Sequence, residues 1–364
     1  LPMAQLNAQI PLVYYDSVEV VNDDVLLANP WAGGLNCPQF SEIDLNGDGT
    51  PDLVAFERNF YGAILTFING GTAGVADYRY APEFQARFPR MRNWMLLRDF
   101  NCDGKEDIFT SVPAGVAVYR NDTGPDGKLH FTQVTSLLQT VGLDGQTPLY
   151  VSPPDIPAIV DVDNDGDLDF LSFNILGSTV EYHKNFSMEN HGNCDYLEFE
   201  LKNACWGYFS EDGTTNTVTL YDTCELNVPD PEKASLHAGS TILAIDLTGN
   251  GVKDLVLGDI TYRNMVMLTN GGTTTSSGIT AFDTTFPSNT TPVDITVFPA
   301  AYSLDVDNDS KKDLLVAPNN PNTSENRNNI WFYKNIGNNT VPVYSYQYNT
   351  FLQGGMIDAG ERSY

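Results

Sequence analysis

Short apolar runs alternate with acidic turns along most of this chain. The run before each turn covers 40–43, 95–97, 156–160, 242–245 or 301–304, and the run after it covers 53–56, 108–109, 170–171, 255–257 or 314–316. Runs this short are typical of β-strands rather than helices. A third apolar segment follows in each unit and ends in an asparagine, namely Asn69, Asn121, Asn185, Asn270 or Asn335. The pattern therefore predicts repeated units of strand, acidic loop, strand, turn and strand.

The acidic turns share one nine-residue pattern, which begins and ends with aspartate. We number them loop one (44–52), loop two (99–107), loop three (161–169), loop four (246–254) and loop five (305–313). Successive leading aspartates are 55 to 85 residues apart, a spacing that suits propeller blades with loop insertions. One such unit cannot bury both faces of its sheet, whereas radial stacking of several units can. The chain is therefore predicted to be all-β, with residues 1–364 forming a single β-propeller domain.

The same loops predict cation sites. Side-chain oxygens occupy the first, third, fifth and ninth positions of every loop, and the seventh residue would add its backbone carbonyl. Ca²⁺ takes about six to eight oxygen ligands with forgiving geometry, which suits such a turn. The predicted ligands are Asp44, Asn46, Asp48, Thr50 and Asp52 in loop one; Asp99, Asn101, Asp103, Lys105 and Asp107 in loop two; Asp161, Asp163, Asp165, Asp167 and Asp169 in loop three; Asp246, Thr248, Asn250, Val252 and Asp254 in loop four; and Asp305, Asp307, Asp309, Lys311 and Asp313 in loop five.

The composition of each loop refines this prediction. A glycine directly after the fifth position permits a sharp turn with positive φ; it is Gly49, Gly104, Gly166 or Gly251 in loops one to four, and Ser310 replaces it in loop five. Counting carboxylates ranks loops three and five as the strongest sites and loop four as the weakest or empty one. We expect about four to five structural calcium ions per chain.

Two other metal motifs fit less well. An EF-hand opens similarly but needs a glutamate at its twelfth position and helices on both sides. That position holds Ala55, Thr110, Ser172, Leu257 or Val316, and strand-like residues follow. No cluster of cysteine and histidine supports zinc. Calcium in a β-rich turn is the favoured interpretation, and an acidic turn that binds nothing is the alternative.

On the five loops and the strands that end in asparagine, residues 40–340 resemble the FG-GAP/VCBS repeat family, which includes the integrin-type propellers. The resemblance implies a calcium-binding β-propeller of six or seven blades, with seven favoured. It also implies calcium ligands at the loop positions named above. The N-terminal stretch 11–27 and the tail 341–351 would then supply strands of the closing blades.

Some segments, such as 38–44 and 351–358, also look like surface proteins of Bacteroidota that are exported by type IX secretion. The C-terminal sorting domain usual in that group is missing here, so we expect the natural protein to continue beyond residue 364.

Charge and hydrophobicity narrow the functional class. The sequence has 47 acidic residues against 19 Lys and Arg, a net charge of −28, which would repel a polyanion such as DNA. No apolar run reaches membrane-spanning length, and residues 1–10 lack the pattern of a signal peptide. We therefore expect a secreted or cell-surface protein whose signal peptide has been removed, which neither spans a membrane nor binds nucleic acid.

The longest interval between loops separates loops three and four and contains an insertion over 187–233. Three of the five cysteines, Cys194, Cys205 and Cys224, lie there, which suggests a local disulfide formed in an oxidising compartment. Cys205–Cys224 is the preferred pair, and five unpaired cysteines is the alternative. The apolar segments 196–201 and 218–221 predict a hairpin within the insertion.

The sequence contains no nucleophile elbow, phosphate-binding loop or dinucleotide fingerprint. We expect a binding or adhesion module without catalytic activity that recognises a glycan or a protein partner. Two alternatives stay open. One is a secretion cargo or structural segment whose partner is the outer-membrane secretion translocon, and the other is a polysaccharide lyase or hydrolase on a propeller scaffold.

Overall fold

The computed structural model describes residues 18–58, 62–142, 145–175, 177–212, 216–221 and 239–358. A short hairpin, β1 (Val21–Asn22) paired with β2 (Val25–Leu26), comes first. The chain then forms five main sheets, each built on four consecutive antiparallel strands, which stack as the blades of a propeller.

The strands of each blade follow one another in the sequence. Blade one contains β3 (Pro38–Ile43), β4 (Asp52–Glu57), β5 (Ala63–Asn69) and β6 (Tyr78–Tyr80), and blade two contains β7 (Arg92–Arg98), β8 (Asp107–Val112), β9 (Gly115–Asn121) and β10 (Phe131–Thr135). A hairpin of β11 (Gln139–Gly142) and β12 (Gly145–Pro148) precedes blade three, which contains β13 (Ala158–Val160), β14 (Asp169–Phe173), β15 (Val180–Asn185) and β16 (Phe199–Asn203). Because β11 pairs in parallel with β16, the hairpin widens the outer edge of this blade.

The insertion overlaps the end of blade three and contributes a helix and a third small hairpin. Helix α1 (Ser187–His191) lies between β15 and β16, and β17 (Phe209–Glu211) pairs with β18 (Val218–Leu220). The predicted hairpin of 196–201 with 218–221 is therefore wrong, since half of the first segment, 199–201, belongs to β16, the fourth strand of blade three, and 218–220 pairs with β17. Residues 213–215 and 222–233 of the insertion lie outside the described residues.

Blades four and five are also built from four consecutive strands each. Blade four contains β19 (Ser240–Ile245), β20 (Asp254–Asp259), β21 (Met265–Asn270) and β22 (Ile279–Asp283), and blade five contains β23 (Pro299–Leu304), β24 (Asp313–Pro318), β25 (Trp331–Asn335) and β26 (Tyr344–Tyr348). Short 3₁₀ turns occur at Pro82–Arg87, Trp206–Tyr208 and Gln353–Gly355.

The burial of a strand decides whether the apolar pattern of the sequence predicts it. The second strand of each blade (β4, β8, β14, β20 or β24) is buried along nearly its whole length. Neighbouring blades cover both of its faces, so it is a continuous apolar run rather than an alternating one. Fourth strands such as β10 and β22 are mostly exposed and mix apolar with polar residues. They lack an apolar run, and the sequence pattern therefore missed them.

The first strands of the five blades surround a central cavity of about 290 Å³. One hydrogen bond across each interface illustrates the closed ring: Leu97 N to Ser41 Oγ at 3.2 Å, Arg98 Nε to Ile159 O at 3.2 Å, Ile242 N to Ile156 O at 3.0 Å, Thr241 Oγ1 to Pro299 O at 2.9 Å, and Asp305 N to Glu42 Oε1 at 2.7 Å. Apolar clusters fill the spaces between the blades. The aromatic contact of Phe109 with Phe170, 5.7 Å between ring centroids, joins blades two and three in this way.

The propeller has five blades, so the prediction of six or seven is wrong. The tail 341–351 supplies β26, the fourth strand of blade five, rather than part of another blade. Of the N-terminal stretch, 11–17 lies outside the described residues and the remainder contributes only the β1–β2 hairpin. The chain after β26 instead packs beside the start of blade one, where Asn29 N donates to Gly355 O at 2.8 Å and Gln353 Nε2 donates to Leu35 O at 2.7 Å.

One arginine spans the end of the ring opposite to the acidic loops. Arg58 follows β4, and its Nη1 donates to Pro154 O at 3.1 Å and to Asn319 O at 3.0 Å. Three blades are thereby joined by one partly buried guanidinium. Within the described part of the chain, no helix has the length and apolar character needed to cross a membrane.

Candidate metal centres and the loop face

All five acidic loops connect the first and second strands of a blade, so they lie together at one end of the propeller, which we call the loop face. The leading aspartate of each loop fixes the turn. Asp44 accepts hydrogen bonds from Gly47 N at 2.7 Å and from Gly49 N at 2.9 Å. The second of these bonds recurs in the other loops, from Gly104 to Asp99, from Gly166 to Asp161, from Gly251 to Asp246 and from Ser310 to Asp305.

The backbone after the fifth position turns as predicted. Gly49, Gly104, Gly166 and Gly251 all have positive φ, and Ser310 adopts the same conformation with φ 68°. The fourth position of every loop is also left-handed, with φ between 57° and 79° at Gly47, Cys102, Asn164, Gly249 and Asn308. Sequence reasoning missed this second left-handed position because only two of the five residues there are glycine.

The ninth residue of each loop, which we call the closing aspartate, is the first residue of the second strand. Asp52 Oδ2 accepts a hydrogen bond from Leu45 N at 2.8 Å, and its Oδ1 accepts one from Asn69 N at 2.8 Å. Equivalent pairs hold the other four, from Phe100 and Asn121 to Asp107, Val162 and Asn185 to Asp169, Leu247 and Asn270 to Asp254, and Val306 and Asn335 to Asp313. The recurring asparagine therefore marks the place where the third strand meets the closing aspartate.

Burial is the largest influence on the closing aspartates, and it raises their pKa values. The pKa is about 6 for Asp52 and Asp107, about 7 for Asp313 and about 8 for Asp169. The two backbone hydrogen bonds oppose this effect, because they favour the charged carboxylate. A nearby divalent cation would favour the charged form further.

Loops three and five bring their carboxylates closest together. Oxygen atoms of Asp161, Asp163 and Asp169 lie within 4.8 Å of one another, as do those of Asp305, Asp307 and Asp313. Asp163 Oδ1 and Asp307 Oδ1 are buried without a hydrogen-bond partner. A compact set of hard oxygens with unused lone pairs fits Ca²⁺, which would supply the positive charge that these buried carboxylates need.

Loops one, two and four are arranged differently. Among the described residues, no set of three acidic groups meets the same 4.8 Å spacing there. In loop one the third-position amide, Asn46 Nδ2, donates to Asp48 Oδ2 at 2.9 Å, and the Asn101 amide of loop two can donate to both Asp99 and Asp103. In loop four Asn250 Nδ2 donates to Asn270 O at 2.8 Å instead of facing a carboxylate.

The seventh residue of each loop is held in place by a hydrogen bond from its own backbone N–H group. The N–H groups of Thr50, Lys105, Asp167, Val252 and Lys311 each donate to the side chain of the fifth residue in the same loop. The side chains of Asp167 and Val252 are buried, and Asp167 accepts a hydrogen bond from Met188 N of α1 at 2.8 Å. The carbonyl oxygens of all five seventh residues stay predicted ligands.

Two lysines that sequence reasoning missed enter the acidic clusters. Lys184 of β15 bonds to acids of loop three, and Lys334 of β25 bonds to acids of loop five. Each lysine directly precedes the asparagine that ends its strand, and among the third strands of the five blades only these two end in Lys-Asn. The Lys-Asn end of the third strand was therefore the sequence signal from which these two lysines could have been found.

The cysteines pair across blades rather than only within the insertion. Cys102 of loop two forms a disulfide with Cys194, which follows α1, a pairing that the sequence did not predict. Cys205 is disulfide-bonded as well, but its predicted partner Cys224 lies outside the described residues, so the Cys205–Cys224 pair stays a prediction. Cys37 is buried, and its thiol donates to Glu57 Oε1 at 3.1 Å.

A polar cleft of about 510 Å³ opens on the loop face between loops one and two. Its wall includes Asp44, Lys105 and Glu106, and it shares Glu42, Glu106 and Lys312 with the central cavity. Glu42 Oε2 lies 2.5 Å from Lys312 Nζ. Burial raises the pKa of Glu106 to about 7, although the positive charge of Arg98 opposes this shift.

A comparison with known protein families supports the repeat found in the sequence. Residues 99–172 match the FG-GAP-like repeat, which confirms the resemblance inferred from the loops. No curated protein matches the sequence.

Among solved structures, similarity is distant. An Agrocybe aegerita lectin, described as recognising non-reducing terminal N-acetylglucosamine, has 14% identity over 87% of this chain and 81% of its own, with a TM-score of 0.38. The Photorhabdus luminescens Tc holotoxin pore has 16% identity over 89% of this chain and 13% of its own, with a TM-score of 0.34. The Vibrio cholerae biofilm matrix protein Bap1 has 13% identity over 71% of this chain and 42% of its own, with a TM-score of 0.29. Similarity at these TM-scores carries no functional information.

The fold and the matched repeat together identify this chain as a five-bladed β-propeller that contains an FG-GAP-like repeat from loop two to the second strand of blade three.

Proposed function

We propose that this chain is a secreted or cell-surface binding module, stabilised by calcium, that recognises a glycan or a protein partner through its loop face. The observation that carries the proposal is the polar cleft between loops one and two, placed on a closed ring of blades. A rigid scaffold that presents loops at one end is a common arrangement for recognition.

The chemistry of the cleft favours a polar ligand, and a glycan above all. Its wall contains Gly47, Gly49, Gly104, Gly124 and Gly127. The lack of side chains brings a ligand close to the backbone there, where the N–H groups of Gly47, Gly49 and Gly104 are used by the leading aspartates and carbonyl oxygens can accept from a ligand. Lys105 and Glu106 add charged groups to the same wall. Hydroxyl-rich ligands are recognised by such a combination of donors and acceptors.

The calcium part of the proposal is supported by loops three and five. Asp307 is only 4% exposed, and its Oδ1 has no hydrogen-bond partner in a cluster of three carboxylates. Lys334 bonds to Oδ2 of this residue, so Oδ1 is the acceptor left without a partner, and burying such a charged oxygen is costly unless a cation or a donor balances it. Calcium bound there would hold the first and second strands of a blade together, because Asp313 opens the second strand.

The proposed compartment is supported by the Cys102–Cys194 disulfide. Disulfides persist in secreted and surface proteins and are rare in reducing cytoplasm. Export by type IX secretion, with the translocon as a transient partner, stays part of the hypothesis and is tested by co-purification with outer-membrane proteins.

A polysaccharide-cleaving activity is the second candidate, and one observation favours it. Glu106 has a pKa of about 7 where the cleft meets the central cavity, which suits a general acid at neutral pH. Incubation with a polysaccharide panel and measurement of released products would support this candidate or eliminate it.

Binding is tested with a glycan array and with capture of surface proteins, using the calcium-loaded chain. The cleft variants Lys105→Ala and Glu106→Gln should weaken a saturable interaction at least about tenfold. The control Arg263→Ala removes an exposed cation of blade four, which pairs with Asp294 outside the cleft, and should leave binding unchanged. Saturable binding that none of the cleft variants alters would move the site elsewhere, and no saturable ligand in either assay would overturn the proposal.

A further inference from the structure

In the two most acidic loops, loops three and five, a lysine side chain from the third strand of the same blade reaches the loop carboxylates. Lys184 Nζ bonds to Asp163, lies 2.5 Å from Asp165 Oδ2 and lies 2.7 Å from Glu189 Oε1. Lys334 Nζ bonds to Asp307 and lies 3.1 Å from Asp309 Oδ2. The third and fifth positions of the loop are therefore neutralised in the same way in blades three and five.

In blades one, two and four, the residue at the equivalent position of the third strand does not neutralise the acidic loop. Ile68 packs against the apolar cluster between blades one and two. Arg120 bonds through its Nε to Asp122 Oδ1 at 2.7 Å, outside loop two. Thr269 in blade four has no charge to offer. A lysine occurs at this position only where the loop has carboxylates at all four side-chain ligand positions.

Lys184 is largely buried and Lys334 is partly exposed, so solvent screens the charge of Lys184 less than that of Lys334. The side chains of Lys184 and Lys334 are 11% and 28% exposed. Burial lowers the pKa of Lys184, but its hydrogen bonds with Asp163, Asp165 and Glu189 raise that pKa above its usual range overall. The hydrogen bond with Asp307 likewise raises the pKa of Lys334, and both ammonium groups stay charged at physiological pH.

The carboxylates keep capacity for a second cation. Asp163 Oδ1 and Asp307 Oδ1 are buried without hydrogen-bond partners while the Oδ2 atoms of the same residues contact the lysines. An ammonium group and a divalent ion within a few ångströms of each other repel strongly in a poorly hydrated site. Both cannot bind the same carboxylates at full strength.

We propose that Lys184 and Lys334 are tethered cations, which neutralise loops three and five in the metal-free protein and compete with Ca²⁺ for the same carboxylates. This inference rests on the calcium sites proposed above and goes beyond them. It reverses the ranking by carboxylate count, because each of the two richest loops has a competing lysine from the third strand, whereas the described residues of loop one have none and the lysine of loop two, Lys105, is exposed and pairs only with Asp103. Loop three has one further option, since its lysine can keep Glu189 as a partner when the metal enters.

The test uses Lys184→Met and Lys334→Met in the full chain, since methionine keeps the apolar length and removes the charge. Lys128→Met, between β9 and β10, is the matched control, because Lys128 Nζ lies 3.8 Å from Asp126 Oδ2 at an exposed position outside the acidic loops. Calcium affinity and stoichiometry are measured by calorimetric titration, and melting temperatures are measured in chelator and in excess calcium.

Each lysine variant should bind calcium about tenfold more tightly at one site, a size typical of coupling between two ligands. Its melting temperature should fall in chelator and recover in excess calcium, whereas the control should change in neither measurement. Lys184→Arg keeps the charge and should resemble the wild type in chelator, which guards against a variant that simply misfolds. Unchanged or weaker calcium binding, with an equal loss of melting temperature in both buffers, would overturn the competition.

If the calcium sites themselves are wrong, the measurements give a different result from a failure of the lysine competition. If neither the wild type nor any variant binds calcium, the metal sites are wrong, yet the melts in chelator still decide the neutralising role of the lysines. A lower melting temperature for Lys184→Met and Lys334→Met there supports that role, and an unchanged one overturns it.

Discussion

Cys102 in loop two is disulfide-bonded to Cys194 in the insertion, 92 residues further along the chain. Both sulfur atoms lie beside Gly166 O of loop three, at 3.6 Å from Cys102 Sγ and 3.4 Å from Cys194 Sγ. The bond therefore holds the insertion against the acidic loops of two neighbouring blades.

Removing this disulfide should destabilise the protein and loosen the insertion. The double variant Cys102→Ala with Cys194→Ala is expected to lose about 2–4 kcal/mol of unfolding free energy, because a long loop is no longer closed in the unfolded state. Paired substitution is preferable to a reductant because Cys205 is disulfide-bonded too. Urea unfolding gives the energy, and hydrogen exchange at α1 reports the loosening. An unchanged midpoint with unchanged exchange would show that other contacts hold the insertion.

The closing aspartates should matter more for the scaffold than the fifth-position acids. In Asp107→Asn the new amide nitrogen must face either Phe100 N or Asn121 N, so one buried donor loses its acceptor. We expect a loss of about 1–3 kcal/mol in chelator. Asp103→Asn in the same loop keeps an oxygen for Lys105 N at an exposed position and should change stability by less than about 0.5 kcal/mol. Equal effects of the two variants on the urea midpoint would contradict the assigned role.

Much of the blade could be predicted because one strand in each unit is buried on both faces. The apolar runs at 53–56 and 314–316 became β4 and β24 for this reason. The number of blades came from family resemblance and was wrong, whereas the count of acidic loops equals the count of blades. The tail strand β26 could not be assigned from its sequence, since Tyr344–Tyr348 is only partly buried and completes a blade whose other strands lie earlier in the chain.

The loops themselves were located from sequence, but the roles within them were not. That Asn69 N reaches Asp52, 17 residues away, depends on how β4 and β5 pair, and this register is not visible in the spacing. Lys184 enters loop three for the same reason, because its position on β15 is set by pairing with β14. Composition ranks the loops by their acids alone and so overlooks a cation supplied by another strand.

Loop five should become more stable when its exceptional serine is replaced. Ser310→Gly removes a side chain from a left-handed residue with φ 68°, a conformation that costs an L-residue about 1–2 kcal/mol. Glycine loses more entropy on folding, so we expect a net gain of about 0.5–1 kcal/mol. The reverse change, Gly49→Ser in loop one, has open space for its side chain and should cost a similar amount. Chemical denaturation of both variants checks the prediction, and two shifts of the same sign would refute it.

The metal-free protein should be more stable at pH 5 than at pH 8. Burial raises the pKa values of Asp52 and Asp107 to about 6, of Asp313 to about 7 and of Asp169 to about 8, against about 3.9 in the unfolded chain. Between these values the folded state binds more protons than the unfolded state, so stability falls as pH rises through about 5 to 8. Below the unfolded value both states are protonated and this dependence ends.

Calcium should reverse the trend, because protons and the metal compete for the same carboxylates. In excess calcium we expect the urea midpoint to rise from pH 5 to pH 8, while in chelator it falls over the same interval. General repulsion in a chain of net charge −28 would also favour acid pH, but salt screens that effect far more than it screens buried groups. Repeating the series in high salt therefore isolates the closing aspartates. If the midpoint in chelator becomes independent of pH once salt is added, surface repulsion and not the buried carboxylates sets the dependence, since titration of groups such as Asp169 inside the fold would have survived the screening.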